Sequence, residues 1–279
     1  MVQDVWIRFR KNKGAMIGGI IILLLIMCAI LSPVIFDYET EVIGQDVTQR
    51  LIKPCAEHWF GTDNLGRDLF ARVVYGTRAS LPVGAVAVLV ALSIGMVFGA
   101  VAGYFGGVAE SIIMRGMDIL GALPGIMLAI ALIAVMGTGT VSLMIAVGVA
   151  SVPTFARVTR AAVLSVRNQD FVESARAIGM PNREILFKHI IPNCLSPIIV
   201  QTTLRIGSAI ISAAALSYLG LGVPAPIPEW GSLLSEGRSY LRDYSYLTIF
   251  PGLTIMITVI AFNLLGDGLR DAMDPKLKQ

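Results

Sequence analysis

The residues of this 279-residue chain that could carry chemistry are concentrated in one polar segment, 170–192, which reads DFVESARAIGMPNREILFKHIIP. Asp170 and Glu173 stand three apart, the spacing of a capping box, which predicts a helix that starts at Phe171. Gly179 predicts the end of that helix in a left-handed backbone conformation. The chemistry of the segment is therefore recognition of a partner, with charged side chains that set the register of contact.

A second short helix is predicted from Arg183 to His189, and Pro192 is expected to break the chain after it. The product is a rigid helix-turn-helix elbow inside a loop that spans residues 165–195. Small residues on the first helix, Ser174 and Ala175 among them, would let the elbow insert closely into a groove on another protein.

The sequence offers no catalytic motif. It contains no GxxxxGK[ST] phosphate-binding loop, no HExxH and no GxSxG, and therefore we expect no enzyme activity and no ATP hydrolysis by the chain itself. Its two histidines, His58 and His189, are predicted to lie on opposite sides of a membrane, so they cannot share a metal. The three cysteines are far apart, and we predict neither a metal site nor a disulfide.

Composition assigns the chain to membrane proteins, because 55% of its residues are hydrophobic, 15% are charged and the mean hydropathy is +0.75. A net charge of +3 is too small to favour nucleic acid as a partner. A helix needs roughly 20 apolar residues to cross a bilayer, and charge-free stretches of that length predict an all-α fold with six spanning helices. The stretches are 15–36, 81–109, 119–156, 206–228 and 244–266. The third of these is too long for one helix, and a turn at residues 137–140 is expected to divide it into two spans.

The distribution of lysine and arginine places both termini and the elbow in the cytoplasm. Arg205 is then expected at the edge of the fifth span, where its head group could reach the interface. Residues 68–80 are predicted to form a short helix in the membrane interface, before the second span. The chain is accordingly divided into residues 1–80, with the first span and an outer loop, and a five-helix core, residues 81–279.

Glycines recur at every fourth residue of the second span, a pattern that lets another helix approach closely. The pattern leaves open whether that helix belongs to this chain or to another subunit. The glycines are Gly95, Gly99, Gly103 and Gly107.

Several motifs resemble a known family. The elbow resembles the EAA loop of binding-protein-dependent ABC importer permeases. The matching residues are Glu173, Ser174, Ala175, Gly179, His189, Ile190, Ile191 and Pro192. Ser174 stands where the family usually has alanine. Segments 61–80, 217–238 and 261–275 resemble the C-type permease of the dipeptide, oligopeptide and nickel branch.

The resemblance implies a bacterial inner-membrane permease that pairs with a homologous B-type permease, two cytoplasmic ATPase subunits and an extracytoplasmic substrate-binding protein. ATP and Mg would bind to the ATPase subunits, and no cofactor is expected on this chain. The elbow would dock on an ATPase, and the expected coupling residues are Asp170, Glu173, Ser174, Ala175, Arg176, Gly179, Met180, His189 and Pro192.

Substrate identity stays open at this point. Di- or oligopeptides are the expected cargo, and nickel or a metal chelate is the alternative within the family. A stand-alone channel or an ion-coupled carrier is the alternative from another class, although no span carries a buried Asp, Glu or His of the kind that an ion relay needs.

Overall fold

The computed structural model describes residues 2–273; residue 1 and residues 274–279, with the end of the 261–275 motif, lie outside the described residues. Within that range the chain is helical, and its β-structure is limited to one bridge between Thr62 and Asp68. The α-helices are α1 (Val2–Lys11), α2 (Lys13–Ile35), α3 (Leu69–Phe105), α4 (Gly107–Ala122), α5 (Gly125–Met136), α6 (Thr140–Val166), α7 (Asp170–Ala177), α8 (Asn182–Glu184), α9 (Ile191–Asn193), α10 (Leu195–Tyr218), α11 (Trp230–Gly237) and α12 (Tyr246–Met273). Short π-helical segments occupy Tyr38–Val42 and Ile185–Ile190, and short 3-10 helices occupy Val47–Gln49 and Arg238–Tyr240.

Helices α2, α3, α6, α10 and α12 are each long and apolar enough to cross a membrane. The pair α4 and α5 passes the same test together, but its axis bends by 89°. Pro124 explains the bend, because it disfavours helical geometry at the preceding residue, and Leu123 is extended with φ −85° and ψ 137°. The all-α membrane fold is confirmed: five helices of the described chain are candidate spans, and the bent pair α4 and α5 occupies the place of the predicted third span.

We name the two ends of this bundle by what they carry. The elbow end carries α7, α8 and α9 together with the start of α2 and the end of α12. The loop end carries residues 37–68 and α11. Asn12 and Asp271 meet at the elbow end, where the Asn12 amide donates to the Asp271 carboxylate over 3.1 Å.

The glycine pattern of α3 packs against α6 of the same chain. A Cβ atom on Gly95 would meet Phe155, one on Gly99 would overlap the Ala156 carbonyl, and one on Gly103 would meet Val163. Gly107 does not belong to this contact: it starts α4 with φ +57°, and a Cβ there would meet nothing within 4 Å. The structure therefore assigns the groove to a helix of this chain and removes Gly107 from it.

Two predicted boundaries were wrong. Residues 69–80 are helical as predicted, but they are the first turns of the continuous 37-residue α3 rather than a separate interfacial helix. The fifth span is α10, Leu195–Tyr218, rather than 206–228, because residues 219–229 form an irregular connection with a cis peptide bond before Pro226. Arg205 consequently lies in the middle of α10 and not at the edge of a span. Helix α3 also runs unbroken across residues 80 and 81, and the predicted division of the chain there stays a prediction.

Candidate functional site

The first helix of the elbow, α7, ends in a hydrogen-bonded turn centred on Gly179. The Met180 amide donates to the Ala175 carbonyl over 3.1 Å, and the Gly179 amide donates to the Arg176 carbonyl over 3.0 Å. This pair of bonds defines a Schellman motif, and it requires a left-handed residue, which Gly179 supplies at φ +79°. The predicted turn is confirmed.

The predicted capping box at the start of α7 was wrong. The helix begins at Asp170, with Gln169 as the N-cap, and no side chain caps it. Asp170 and Glu173 instead occupy the first turn, where carboxylates interact favourably with the positive end of the helix dipole.

The second half of the elbow is longer than predicted. Helical geometry runs from α8 through the π-helical segment Ile185–Ile190 into α9. Pro192 lies inside α9 and, contrary to the prediction, does not break the chain before the fifth span. A proline in the first turn of a helix forfeits no intrahelical bond, so the helix tolerates Pro192 there. The elbow therefore joins α10 with only Cys194 between them.

A buried apolar cluster fixes the elbow to the spanning helices. Val172 and Ala175 of α7, together with Ile185 and Ile190, pack against Val163 of α6 and its neighbours. Ala175 is only 5% exposed, so it packs inside this chain and does not present itself to a partner. Burial of these side chains packs the elbow tightly against α6.

Tyr104, near the end of α3, anchors both halves of the elbow. Its hydroxyl donates to the Asn182 side-chain oxygen over 2.7 Å, and the Arg176 guanidinium carbon lies 5.6 Å from the centre of its ring. Sequence analysis missed this anchor. An aromatic side chain with a polar tip at the end of a span was the available signal.

The outward face of the elbow combines charge with exposed apolar side chains. Glu173, Ser174 and Arg176 are exposed, while Ile178 is 77% and Phe187 is 60% exposed. Large apolar groups exposed beside charges at the polar end of a membrane protein mark a surface that contacts another protein. Of the other predicted coupling residues, Gly179 and Pro192 are exposed, Met180 and His189 are half-buried, and Ala175 is buried.

Two titratable groups of the elbow are perturbed. The Lys188 ammonium, 2.6 Å from the Glu184 carboxylate, lowers the pKa of that carboxyl group. Burial raises the pKa of the Cys194 thiol to about 11, so this thiol is protonated at neutral pH. Neither group has the geometry of a catalytic residue.

At the loop end, a buried ion-pair network joins residues that are far apart in sequence. Arg67 and Arg72 both donate to the Asp63 carboxylate, over 2.7 and 2.6 Å, and both also donate to Glu236 of α11, each over 2.7 Å. Arg72 is 1% and Arg67 is 5% exposed. Burial with two carboxylates gives each arginine the partners that a buried charge needs. Local sequence showed no sign of these ion pairs, because Glu236 lies 169 positions from Arg67 and 164 positions from Arg72.

A second contact between α3 and the start of α11 lies about two turns further along α3, at Ser80. The Glu229 carboxylate caps α11 by accepting from the amides of Gly231 and Ser232, each over 3.0 Å, and it also accepts from the Ser80 hydroxyl over 3.2 Å. Trp230, which is fully buried, donates its indole N–H to the Val73 carbonyl over 3.0 Å. The two sequence motifs 61–80 and 217–238 are therefore one structural unit.

His58 is held inside the outer loop. Its Nδ1 lies 2.7 Å from the Asp68 carboxylate and its Nε2 lies 3.0 Å from the Gln49 side-chain oxygen. Among the described residues, no group of three His, Cys, Asp or Glu side chains could hold a metal ion. The loop also lines an open cavity of about 880 Å³ whose wall combines the aromatic rings of Phe36, Trp59 and Phe70 with several carboxylates.

Comparison with known proteins gives concordant results. A family described as "Binding-protein-dependent transport system inner membrane component" matches residues 95–279, and one described as "N-terminal TM domain of oligopeptide transport permease C" matches residues 1–54. The dipeptide transport system permease protein of Alkalihalophilus pseudofirmus is 46% identical over 99% of this chain and 90% of its own length. The glutathione transport system permease protein of Pectobacterium atrosepticum is also 46% identical, over 99% of this chain and 91% of its own length.

Among solved structures, inward-facing conformations of the MetNI methionine ABC transporter superpose with a TM-score of 0.60 and 18% identity, over 73% of this chain and 97% of that one. A second similar structure is an amino acid ABC transporter, with a TM-score of 0.54 and 14% identity over 72% of this chain and 94% of that one. These two similarities concern the fold.

Proposed function

We propose that this chain, which belongs to the family of binding-protein-dependent transport system inner membrane components, is the permease subunit of an ATP-driven importer of di- or oligopeptides. Family membership rests on the match over residues 95–279 and on relatives that align with nearly the whole chain. The peptide substrate is inferred from the relatives, which are named as permeases for a dipeptide and for glutathione, itself a small peptide.

The elbow is the observation that carries this mechanism. Its helix-turn-helix is pinned to α3 by Tyr104 and to α6 by buried apolar contacts, while Glu173, Arg176 and Ile178 face outward. A force applied to that outward face would move α3 and α6 rather than deform a loop. We therefore assign the elbow the role of receiving the movement of an ATPase subunit.

This role requires the elbow end to be cytoplasmic, which agrees with the excess of lysine and arginine there. Both termini would then be cytoplasmic in the bacterial inner membrane. The loop end would face an extracytoplasmic substrate-binding protein, and a homologous B-type permease would complete the translocation pathway. ATP and Mg would bind to two ATPase subunits, since the sequence of this chain contains no phosphate-binding loop.

Nickel or a metal chelate is less well supported as the substrate. His58 is the histidine of the outer loop, and both of its ring nitrogens are already within hydrogen-bond distance of Asp68 and Gln49. No other observation in the described chain favours a metal cargo over a peptide.

The test is reconstitution with the partner subunits. We expect the ATPase and partner permease to co-purify with this chain, and uptake of radiolabelled dialanine into proteoliposomes to require both ATP and the binding protein. Glu173→Lys should abolish uptake because it reverses an exposed charge on the docking face, while the assembled complex remains intact. Arg10→Glu, a charge reversal on an exposed side chain of α1, is the matched control. Uptake without ATP would instead support a channel or an ion-coupled carrier.

A further inference from the structure

Helix α10 carries a stripe of polar side chains on one face. The spacing of four, three and four residues places them within a narrow arc of the helix. None of them is buried, whereas the opposite face of α10 is buried against the rest of the chain. The stripe consists of Gln201, Arg205, Ser208 and Ser212.

The exposed face of α2 shows what a lipid-facing surface looks like in the same protein. After Lys13 at the start of the helix, its exposed large side chains are apolar: Ile17, Ile20, Leu23, Leu24, Ile26, Met27, Ile30, Leu31, Val34 and Ile35. A polar face at the same depth would be costly in hydrocarbon, so polar groups in spanning helices face other helices or water-filled cavities. The stripe of α10 therefore faces away from lipid.

Arg205 is the charged member of the stripe and lies at the middle of α10. About ten helical residues, or roughly 15 Å, separate it from either helix end, which is too far for its head group to reach the interface. Its guanidinium donates to the Thr154 hydroxyl of α6 over 3.1 Å. In the described part of the chain, no ion pair includes Arg205. A half-buried cation that pairs with no carboxylate of the described residues can accept an anion from outside them.

Space for a ligand continues from the stripe towards the elbow end. A cavity of about 420 Å³ lies between α6, α10 and α12, and Gln201 and Arg270 are part of its wall. Its wall also includes Ser196, so it offers a hydroxyl, an amide and a second cation among apolar side chains. Because Gln201 belongs to both, the stripe and the cavity form one continuous path along α10.

We propose that the polar stripe of α10 lines the translocation pathway and that Arg205 binds the carboxylate of an acidic side chain of a peptide in transit, so that it favours anionic over cationic peptides. The inference rests on the proposed function, since it names the substrate group that the pathway recognises. A guanidinium matches a carboxylate with two parallel hydrogen bonds, and Thr154 orients it for that contact. Neutral hydrogen-bonding groups lie on both sides of Arg205 along α10, namely Gln201 before it and Ser208 and Ser212 after it. A peptide would therefore be oriented by one ion pair rather than bound tightly by several.

The experiment compares two peptides of opposite net charge, alanyl-glutamate and alanyl-lysine, in proteoliposomes that contain the complete transporter. The measured quantity is the ratio of their ATP-driven uptake rates. In Arg205→Glu we expect the ratio of anionic to cationic peptide to fall by about tenfold or more, because an attractive contact becomes repulsive. Arg205→Lys, which keeps the charge, should retain a ratio near that of the parent. Arg10→Glu is the control for charge reversal outside the spans.

ATPase activity stimulated by the loaded binding protein is measured in parallel and verifies that each variant assembles. A general structural role for Arg205 would slow uptake of both peptides equally and leave their ratio unchanged; that result would overturn the assignment, and so would a loss of the parental ratio in Arg205→Lys. If the parent transports neither peptide, the proposed function fails, and the role of Arg205 fails with it. The two failures are therefore distinguishable.

Discussion

Tyr104 and Asn182 lie 78 positions apart in sequence, yet the Tyr104 hydroxyl donates to the Asn182 side-chain oxygen over 2.7 Å. Tyr104 belongs to α3, the longest helix, and Asn182 begins the second half of the elbow. The ring of Tyr104 also lies beneath the Arg176 guanidinium of the first half. One side chain therefore connects both halves of the elbow to a helix that crosses the membrane.

Replacing Tyr104 with phenylalanine should loosen this connection without removing the ring. The lost hydrogen bond contributes about 1 kcal/mol, and we expect faster amide hydrogen exchange over residues 182–190 with little change in exchange within α6. ATP-driven uptake should fall while the complex still assembles. Tyr218→Phe, at the loop end, is the control. Unchanged exchange in Tyr104→Phe would show that the apolar cluster alone holds the elbow.

Substitutions at Gly179 test the left-handed turn at the end of α7. Its φ of +79° is strained for any side chain, but a Cβ there would meet nothing within 4 Å, so a substitution tests backbone conformation without steric overlap. Gly179→Ala should destabilise the turn by about 1 kcal/mol. Gly179→Asn should cost less, because asparagine tolerates the left-handed region. Hydrogen exchange at the Met180 amide measures the effect, and equal protection in both variants would contradict the assigned turn.

The buried network at the loop end should be important for stability. Arg72→Met leaves the buried Asp63 carboxylate with one partner fewer, and removing one member of a buried pair costs about 3–5 kcal/mol. We therefore expect Arg72→Met to have a clearly lower thermal unfolding midpoint in detergent than the parent protein. Arg78→Met is the matched control, because Arg78 is on the same helix but exposed. Equal midpoints for the two variants would argue that the network contributes little.

The α3–α6 contact predicts a sharp contrast between two glycines. A Cβ at Gly99 already overlaps the Ala156 carbonyl of α6, whereas a Cβ at Gly116 on α4 would meet nothing within 4 Å, so Gly99→Leu and Gly116→Leu form a matched pair. Overpacking a close contact typically costs about 1–3 kcal/mol, and backbone contact leaves less room for relaxation. We expect Gly99→Leu to lower the yield of folded protein, measured by size-exclusion chromatography, and Gly116→Leu to leave it near the parental level.

The cysteines report accessibility and orientation. Cys55 is exposed in the outer loop, whereas Cys194 is 1% exposed and burial raises its pKa to about 11. At pH 8 only about one Cys194 thiol in a thousand is ionised, and the thiolate is the reactive form. A membrane-impermeant maleimide should therefore label Cys55 in intact cells and leave Cys194 unmodified. Labelling of Cys55 only after the membrane is opened would reverse the proposed orientation.

Spanning segments were the most predictable part of this chain, because hydropathy over about 20 residues is a local property. The start of α10 was missed, because Arg205 ends the charge-free stretch before it and moved the predicted span to residue 206. The bend after α4 was also missed, although Pro124 was visible. The elbow was found from its composition, and its glycine turn was placed correctly, but the assumed capping box was not formed.

Long-range partners could not be read from the chain in the same way. The glycine pattern showed that a helix approaches α3, and only the tertiary structure showed that α6 fills the groove. The partner of Arg72 is likewise a matter of the fold, because Glu236 lies 164 positions away in sequence.

The sequence by itself determined the membrane class, most of the spans and the presence of the elbow, because these depend on local composition and on the residues next to a turn. The tertiary structure decided which face of each helix is buried and which charges are paired, because both depend on distant segments that meet in space. The composition of residues 170–192 therefore predicted a contact surface. The hydrogen bond from Tyr104 to the elbow and the contact between Arg205 and Thr154 depend on how the helices pack.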